Sequence, residues 1–324
     1  MGENKGSILI TPRSYRNLEG PHWDMLESSP YRIVRSPHTE ELMTEEEMIK
    51  VVTEKDIRGI IVGLDPITEE VIESASDLEI IAKYGTGLDN IDLEAAEKNG
   101  IPVTWTEGAN SQSVADLSFG LLLALARWIP THSWYMRNGR LERRQGTEVW
   151  EKTLGIVGMG RIGRAMCKRG RKGFDMDILY YDIERKEGVE KKFNADYVEF
   201  DELLEKSDFI SIHVPLTPET EGMFSTDEFE KMKDEAMIVN TARGPIVDED
   251  ALLKALKDGE IAAAALDTFN EEEQLDTELL QQDNFIGSPH AGASTKESVL
   301  RMAKMATREV IRVLDGKEPL KTYK

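Results

Sequence analysis

Short apolar runs alternate with amphipathic segments along most of the chain. The first strand-like runs are 7–11, 32–35, 59–63, 79–85 and 102–105, and helical patterns at 45–52, 68–75 and 93–98 lie between several of them. Apolar strands separated by amphipathic helices are typical of parallel sheets whose two faces are both covered. The N-terminal part of the chain is therefore predicted to form such a sheet.

A second series of strand-like runs begins near residue 105. It comprises 154–157, 177–182, 209–214, 237–241, 261–266 and 284–286. No strand-like run follows the long helical pattern at 295–314, which we expect to return to the N-terminal domain. The pattern predicts two doubly wound parallel-sheet α/β domains, with one domain at 105–293 inserted into another formed by 1–104 and 294–324.

Three glycines follow the first strand of this second series. They are Gly158, Gly160 and Gly163, and Asp182 ends the next strand-like run. Glycines at this spacing permit a tight turn, close approach of the backbone to a pyrophosphate and close packing of the following helix, whose N-terminal amides would bind the phosphates. Asp182 would accept hydrogen bonds from the adenosine ribose and repel the 2′-phosphate of NADP. The motif predicts an NAD site, with Arg185 leaving some tolerance of NADP.

The net charge of the chain limits the kinds of molecule that the protein is expected to bind. The chain has 324 residues and a formal net charge of −21. A chain of this length is expected to split into two domains. The negative charge would repel nucleic acids and anionic membranes, so neither is expected as a partner, and a small-molecule substrate fits better.

The cysteine content and the hydropathy of the sequence indicate the cellular compartment in which the protein is expected. The single cysteine, Cys167, excludes an intramolecular disulfide framework and is consistent with a reducing cytoplasm. The sequence has neither an apolar run long enough to cross a membrane nor a signal-peptide core. We expect a soluble cytoplasmic protein, and we see no cluster of residues that predicts a metal site.

Ligands of open α/β sheets bind at the carboxyl ends of the strands, where three candidates for chemistry lie. Arg243 follows the run 237–241; its guanidinium could hold a substrate carboxylate in a bidentate fork, or it could pair with one of the many acids. His290 lies in a turn of small residues, although a single histidine is more often structural than catalytic. Spacing alone does not choose among the glutamates at 271–273.

These candidates belong to a set of motifs that resembles a known family. The chain is similar, from about Gly59 onward, to the D-isomer-specific 2-hydroxyacid dehydrogenases, and most similar to the short-form D-3-phosphoglycerate dehydrogenases. The resembling segments are GTGLDNID at 85–92, the glycine turn with Asp182, HVPLT at 213–217, NTARG at 240–244, ALD at 265–267 and SPHAGAST at 288–295. The order and number of these motifs make the resemblance specific.

The resemblance implies a fold and a set of functional residues. It implies an NAD-binding Rossmann domain inserted in a flavodoxin-like substrate domain. It selects Glu272, five residues beyond Asp267, as the catalytic glutamate beside Arg243 and His290. With the glycine motif, it predicts that NAD is bound by Thr86, Gly158, Gly160, Arg161, Ile162, Gly163, Asp182, Val214, Thr241, Ala242, Arg243, Asp267, His290, Gly292 and Ala293. It predicts that the substrate is bound by Lys83, Tyr84, Gly85, Thr86, Gly87 and Arg243.

The expected reaction is hydride transfer between a nicotinamide and carbon 2 of a small 2-hydroxy acid. Oxidation requires the hydroxyl proton to leave, and the imidazole of His290 would be the base that accepts it. Glu272 would favour the imidazolium and fix the ring tautomer. Arg243 would hold the substrate carboxylate. In the reverse direction the same histidine would be the acid.

The chain departs from the family at the residues that bind an anionic substrate. Phosphoglycerate enzymes of the family usually carry arginine in the loop after the strand at 59–63 and at the position of Lys83. Here the loop reads GLDPIT at 63–68, with Asp65 an added acid. We therefore expect a small monoanionic substrate to compete with 3-phosphoglycerate; hydroxypyruvate, glyoxylate or a sulfolactate-type acid are the alternatives.

The segment 117–137 is a candidate contact surface between two copies of the chain. It is almost continuously apolar to residue 128, and aromatic residues and charges interleave after that. It could be an ordinary buried helix followed by a surface loop, but in resembling proteins this region forms a two-fold dimer arm, so a homodimer is predicted.

Some relatives act as corepressors, so an NAD-sensing binding protein is the alternative to an enzyme.

Overall fold

The chain folds into two units, each built around one parallel sheet. The computed structural model describes residues 5–38, 41–271 and 278–323. Unit 1 comprises Met1–Asn110 and Ser294–Lys324, and unit 2 comprises Ser111–Ala293.

The strands and helices of the described residues are numbered along the chain. The strands are β1 Ser7–Ile10, β2 Arg32–Arg35, β3 Ile57–Val62, β4 Ile80–Lys83, β5 Val103–Trp105, β6 Thr153–Val157, β7 Asp177–Tyr181, β8 Ala195–Tyr197, β9 Phe209–Ile212, β10 Met237–Asn240, β11 Ala263–Leu266 and β12 Phe285–Gly287. The helices are α1 Arg13–Arg16, α2 Pro21–Glu27, α3 Glu45–Glu54, α4 Glu69–Ser74, α5 Leu93–Lys98, α6 Ser111–Ala126, α7 Ile129–Arg137, α8 Arg161–Gly173, α9 Glu187–Phe193, α10 Phe200–Lys206, α11 Thr226–Lys231, α12 Glu249–Asp258 and α13 Lys296–Leu314.

The sheet of unit 1 has the strand order β2-β1-β3-β4-β5, with every pairing parallel. This is the flavodoxin-like order. Its central strands are buried on both faces, because helices cover each side. Helix α13 packs so closely on β3 that a Cβ on Gly59 would lie 2.9 Å from a methyl group of Val310. Glycine at 59 therefore permits this packing.

The sheet of unit 2 has the order β12-β11-β10-β9-β6-β7-β8, again parallel throughout. Counted from β6, this is the Rossmann order 3-2-1-4-5-6 with one further strand at the β12 edge. The order reverses between β6 and β9, where a crevice for ligands is expected at the carboxyl ends of the strands. The two doubly wound parallel sheets that the sequence predicts are confirmed.

The apolar segment after residue 110 is a core helix of unit 2. Phe119 and Leu122 on α6 are buried in the hydrophobic core, and Ser118 contributes a 2.7 Å hydroxyl contact with Thr241 at the end of β10. No single helix among the described residues has the length and hydropathy to cross a bilayer, and α6 with α7 meets that criterion only as a pair bent by 65°. Burial in the core explains why α6 is apolar.

Candidate active site

The glycine turn between β6 and α8 contains three glycines, and the backbone packing requires two of them. Gly158 has φ +94°, and a Cβ there would lie 2.7 Å from the backbone of His213. A Cβ on Gly163 would overlap the carbonyl oxygen of Gly158, so only glycine lets α8 pack against the turn. Gly160 differs, because a Cβ there would meet nothing within 4 Å. The space next to the α carbon of Gly160, where a side chain would lie, is therefore free of other protein atoms.

This open space suits the pyrophosphate of a dinucleotide. Gly160 is the N-cap of α8 and no side chain caps the helix there. The first amides of a helix have no partner within the helix and attract anions. A side chain at 160 would fill the space that the phosphates require. The residues present thus fit NAD at the position that the sequence predicts.

Asp182 lies directly after β7, beside the glycine turn. Its Oδ2 accepts a hydrogen bond from the amide of Met159 at 2.8 Å, and its Oδ1 accepts one from the amide of Glu184 at 3.1 Å. The ammonium of Lys186 lies 3.7 Å from Oδ1. These contacts hold the carboxylate at the carboxyl end of β7, the position from which such an acid binds an adenosine ribose.

Arg185 is engaged elsewhere. Its guanidinium forms a fork with Glu190, with nitrogen–oxygen distances of 2.9 and 2.8 Å. This fork, together with a hydrogen bond from Tyr180, lowers the pKa of Glu190 to about 2. An acid on α9 thus holds Arg185, and Lys186 is the cation beside Asp182. Tolerance of NADP through Arg185 stays a prediction.

The turn that carries Arg243 is shaped by Asn240 and Gly244. The Asn240 side chain accepts a hydrogen bond from the amide of Ala242 at 2.9 Å and donates one to the carbonyl oxygen of Arg243 at 2.8 Å. A Cβ on Gly244 would overlap the backbone carbonyl of Phe269, so glycine permits the two backbones to touch. Arg243 is thereby held at the carboxyl end of β10, next to the segment that leads toward 271–273.

The turn that carries His290 is held by Asp267. This buried carboxylate, 1% exposed, accepts hydrogen bonds from the amides of Ala291 and Gly292, each at 2.8 Å. The amide of His290 donates to the carbonyl oxygen of Asp267 at 2.8 Å. His290 has φ +48°, a left-handed conformation that costs energy for a non-glycine residue. The two carboxylate bonds thus stabilise a strained turn that presents an exposed imidazole.

Asp267 also connects the two turns, since its amide donates to the carbonyl oxygen of Asn240 at 2.9 Å. Arg243 and His290 therefore project from the same edge of the unit 2 sheet, after the strands β10 and β12 with β11 between them. Glu272 lies outside the described residues. Of the other predicted NAD contacts in unit 2, Val214, Thr241 and Ala242 also follow strands of this sheet at its carboxyl edge, and Arg161 and Ile162 begin α8.

Unit 1 holds the predicted substrate loop, 83–87, at the carboxyl end of β4. Lys83 is 4% exposed, and its ammonium donates to the carbonyl oxygen of Gly63 at 2.5 Å and to Oδ1 of Asn90. Asp65 is 3% exposed and accepts hydrogen bonds from the hydroxyl of Thr11 and, at 2.9 Å, from the amide of Met43. Asp65 is thus a structural acceptor, not an unpaired acid facing the substrate.

The rest of the substrate loop is fixed by residues that the sequence does not single out. The amide of Gly85 donates to the hydroxyl of Thr106 at 3.0 Å, and that hydroxyl lies 2.9 Å from the carbonyl oxygen of Gly85. The hydroxyl of Tyr84 lies 3.1 Å from that of Ser14, and burial raises the pKa of Tyr84 to about 12. The amide of Asn110 is 3.5 Å from the hydroxyl of Thr86. Of these residues only Thr106 has a sequence signal, because it is a polar residue directly after β5.

Groups of His, Cys, Asp or Glu that could hold a metal ion do not occur among the described residues. The only cysteine, Cys167, is a buried free thiol on α8, and burial raises its pKa to about 12.

Comparison with known proteins gives one consistent result. The model of the family "D-isomer specific 2-hydroxyacid dehydrogenase, NAD binding domain" matches residues 119–292. A glyoxylate reductase of Thermococcus litoralis is 45% identical over 264 residues, which cover 79% of this chain and 80% of that protein. A D-3-phosphoglycerate dehydrogenase of Methanocaldococcus jannaschii is 42% identical over 277 residues, 85% of this chain but 52% of that longer protein.

A solved structure extends the similarity to the whole chain. A protein from Thermus thermophilus superposes with a TM-score of 0.89 at 33% identity, covering 98% of this chain and 100% of that one. The similarity therefore includes unit 1, which lies outside the residues that the family model matches.

Proposed function

This chain belongs to the D-isomer-specific 2-hydroxyacid dehydrogenase family and is an NAD-dependent oxidoreductase, and we propose that its substrate is a small 2-keto acid with a single negative charge, such as glyoxylate or hydroxypyruvate. The observation behind this proposal is the loop after β3. It presents Leu64, 54% exposed, and has no cation between 63 and 68. The nearby ammonium of Lys83 is buried against Gly63 and Asn90.

A phosphorylated substrate needs more positive charge than this loop supplies. A dianionic phosphate is bound best by arginine forks or by several donors together. Leu64 instead offers apolar surface, on which a second anionic group gains nothing and loses hydration. The identity to glyoxylate reductases, 45% over about four fifths of each chain, supports the same proposal.

The residues of unit 2 are proposed to perform the proton transfer and to bind the carboxylate. Bound NAD supplies the hydride acceptor for oxidation, and NADH supplies the donor for reduction. A ring nitrogen of His290 donates a proton to the carbonyl oxygen of the keto acid during reduction and takes it back from the hydroxyl during oxidation. Arg243 holds the substrate carboxylate with its guanidinium. Glu272 is proposed, from the family resemblance, to favour the protonated imidazole.

Asp267 is proposed as a positioning residue in this scheme. Because its two oxygens bind the amides of Ala291 and Gly292, it fixes the backbone from which His290 projects. In unit 1, the backbone of 84–87, fixed by Thr106, is proposed to bind the substrate. The two units are accordingly proposed to be the substrate domain, Met1–Asn110 with Ser294–Lys324, and the NAD-binding domain, Ser111–Ala293. The sequence predicts the first boundary at 104/105, which would cut through β5.

The test is a direct comparison of keto acids. We expect glyoxylate or hydroxypyruvate to be reduced with NADH at a kcat/KM at least equal to that of 3-phosphohydroxypyruvate. The comparison is made at low and at moderate salt, because recognition that depends on exposed charges weakens as ions screen them. A strong, salt-sensitive preference for the phosphorylated compound would contradict the proposal and favour a phosphoglycerate dehydrogenase.

The exposed apolar side chains of α7 and the segment after it support a homodimer. Trp134, Met136, Leu141 and Trp150 are 53%, 63%, 80% and 51% exposed, and Arg140 lies 5.3 Å from the ring of Trp134. Clustered aromatic residues, methionine and arginine are typical of protein interfaces. We propose that this surface pairs two copies, which light scattering on the native protein and on Trp134→Ser tests. A cytoplasmic location is proposed with it, since the buried thiol of Cys167 suits a reducing compartment.

A further inference from the structure

The segment that follows β11 touches the turn that carries Arg243. A Cβ on Gly244 would overlap the carbonyl group of Phe269 and would lie 2.6 Å from the amide nitrogen of Asn270. The side chain of Phe269 is buried in the core of unit 2, whereas Asn270 is exposed. The ring of Phe269 therefore anchors the segment at 269, and the position of the backbone at 270 depends on other contacts.

Glu249, the first residue of α12, supplies such a contact. Its Oε1 accepts a hydrogen bond from the amide of Asn270 at 2.7 Å. One 3₁₀ turn, Gly244–Ile246, leads from Arg243 toward the start of α12. The hydrogen bond therefore closes a ring, because the Arg243 turn leads into α12 and α12 holds the segment that packs against that turn.

The surroundings of Glu249 make a carboxyl group costly at this position. The side chain is partly buried, and burial raises the pKa of its carboxyl group. The hydrogen bond from Asn270 opposes this shift. The charged groups that face the carboxyl group from the described part of the chain are the acids Asp248, Asp250 and Glu271, which raise the pKa further. The hydrogen bond from Asn270 thus offsets part of the cost of placing an acid among other acids.

We propose that Glu249 is a positioning residue for Arg243, because through Asn270 it fixes the backbone against which the Arg243 turn packs. The proposal rests on the proposed function, in which Arg243 holds the substrate carboxylate. A displaced guanidinium binds that carboxylate less well in the ground state and in the transition state alike. The loss therefore appears in the KM for the keto acid and leaves kcat nearly unchanged.

Two substitutions separate the reach of the side chain from its charge. Glu249→Gln removes the charge but keeps an oxygen that accepts the amide of Asn270, whereas Glu249→Asp keeps the charge and is one methylene short of that amide. We expect Glu249→Asp to raise the KM for glyoxylate about tenfold, the effect of losing one charge-assisted hydrogen bond, with kcat within about threefold of the native value. Glu249→Gln should keep both within about threefold. NADH affinity, read by fluorescence, should be native in both variants.

Asp250→Ala is the matched control, because it removes an acid from the same turn of α12 without removing the acceptor of the Asn270 amide. It should leave the KM native, and thermal unfolding shows that each variant is folded. The proposal is overturned if Glu249→Asp has a native KM or if Glu249→Gln raises the KM as much. An equal rise in Asp250→Ala would also overturn it, since the effect would then be one of charge.

Arg243→Gln tests the proposed function separately. A native KM in this variant would overturn the role of Arg243 in carboxylate binding, and the positioning role of Glu249 with it. A raised KM in Arg243→Gln together with a native KM in Glu249→Asp would overturn the role of Glu249 alone. The two failures are therefore distinguishable with one substrate and one assay.

Discussion

Asp267→Asn removes charge from the carboxylate that holds the His290 turn while preserving its shape. In the native protein each carboxylate oxygen accepts one backbone amide, from Ala291 and from Gly292, at 2.8 Å. An asparagine keeps one acceptor oxygen, but its NH₂ group faces the other amide, so two donors oppose each other. The variant thus loses one charge-assisted hydrogen bond and leaves a buried amide without a partner.

The size of the effect follows from these contacts. A hydrogen bond to a charged group contributes about 1.5–3 kcal/mol, and the site is buried, with Asp267 1% exposed. A loss of about 2–3 kcal/mol corresponds to a factor on the order of 10² in the equilibrium between the ordered turn and its alternatives. The melting temperature of unit 2 should fall by about 2–4 °C for each kcal/mol, and kcat should fall by about 10²-fold because His290 is no longer held in place.

Asp208→Asn is the matched control for this experiment. Asp208 accepts the amide of Thr153 at 2.8 Å in the same unit, but it precedes β9, at the opposite end of the sheet from His290. The Asp208→Asn substitution should lower the melting temperature and leave kcat within about threefold of the native value. Steady-state kinetics and thermal unfolding measure both quantities. Native kcat in a folded Asp267→Asn protein, or an equal loss of kcat in Asp208→Asn, would refute the positioning role.

Three further predictions concern the proton donor, the substrate loop and a buried imidazole. His290→Ala should lower kcat by about 10²- to 10⁴-fold while NADH affinity, read by fluorescence, changes little; near-normal turnover would remove His290 from the mechanism. Leu64→Arg should raise kcat/KM for 3-phosphohydroxypyruvate relative to glyoxylate, with Leu64→Gln as the uncharged control, and an unchanged ratio would place Leu64 away from the substrate. Burial lowers the pKa of His213 to about 3, so the folded protein binds its proton less readily than the unfolded chain and stability is lost as pH falls from 6.5 toward 3. His213→Gln should therefore reduce the pH dependence of the unfolding free energy by up to about 1.4 kcal/mol per pH unit in that window, as measured by urea titration, and an unchanged slope would contradict burial as the cause.

The strands are easier to predict from the sequence than the short helices. A buried strand is marked by a continuous apolar run, whereas a single helical turn is too short to show an amphipathic pattern. Buried parallel strands are continuous apolar runs, and the run predicted at 59–63 is observed as Ile57–Val62. The edge strand β8 is missed, because it has only three residues with an aspartate in the middle. Helix α1 is a single turn of four residues, too short for an amphipathic pattern to appear. Long elements therefore follow from the sequence, and single-turn elements depend on tertiary contacts.

The glycine turn is predictable for a different reason, namely that glycine spacing encodes backbone geometry. The close approaches at Gly158 and Gly163 leave no other residue possible, so the requirement is visible in the sequence. Asp65 shows the opposite case. Its partner Thr11 lies 54 positions away, and nothing near Asp65 in the sequence indicates that the carboxylate is buried and paired. The roles of Arg243, Glu272 and His290 remain predictions, although the first and last lie at the sheet edge where ligands are expected.

We expect substrate preference in this chain to depend less on side chains whose charges are paired within the protein than on side chains that face the ligand. The sequence places one acid, Asp65, and one base, Lys83, at the substrate end of unit 1. From the sequence alone, these two charges would have opposite effects on the binding of an anionic substrate. The structure ties Asp65 to Thr11 and Met43 and ties Lys83 to Gly63 and Asn90. With both charges paired within the protein, the exposed Leu64 is the side chain of that loop that we propose to contact the substrate. It follows that a single added charge at position 64 should change substrate preference more than removal of Asp65, which would mainly leave the amide of Met43 without its acceptor.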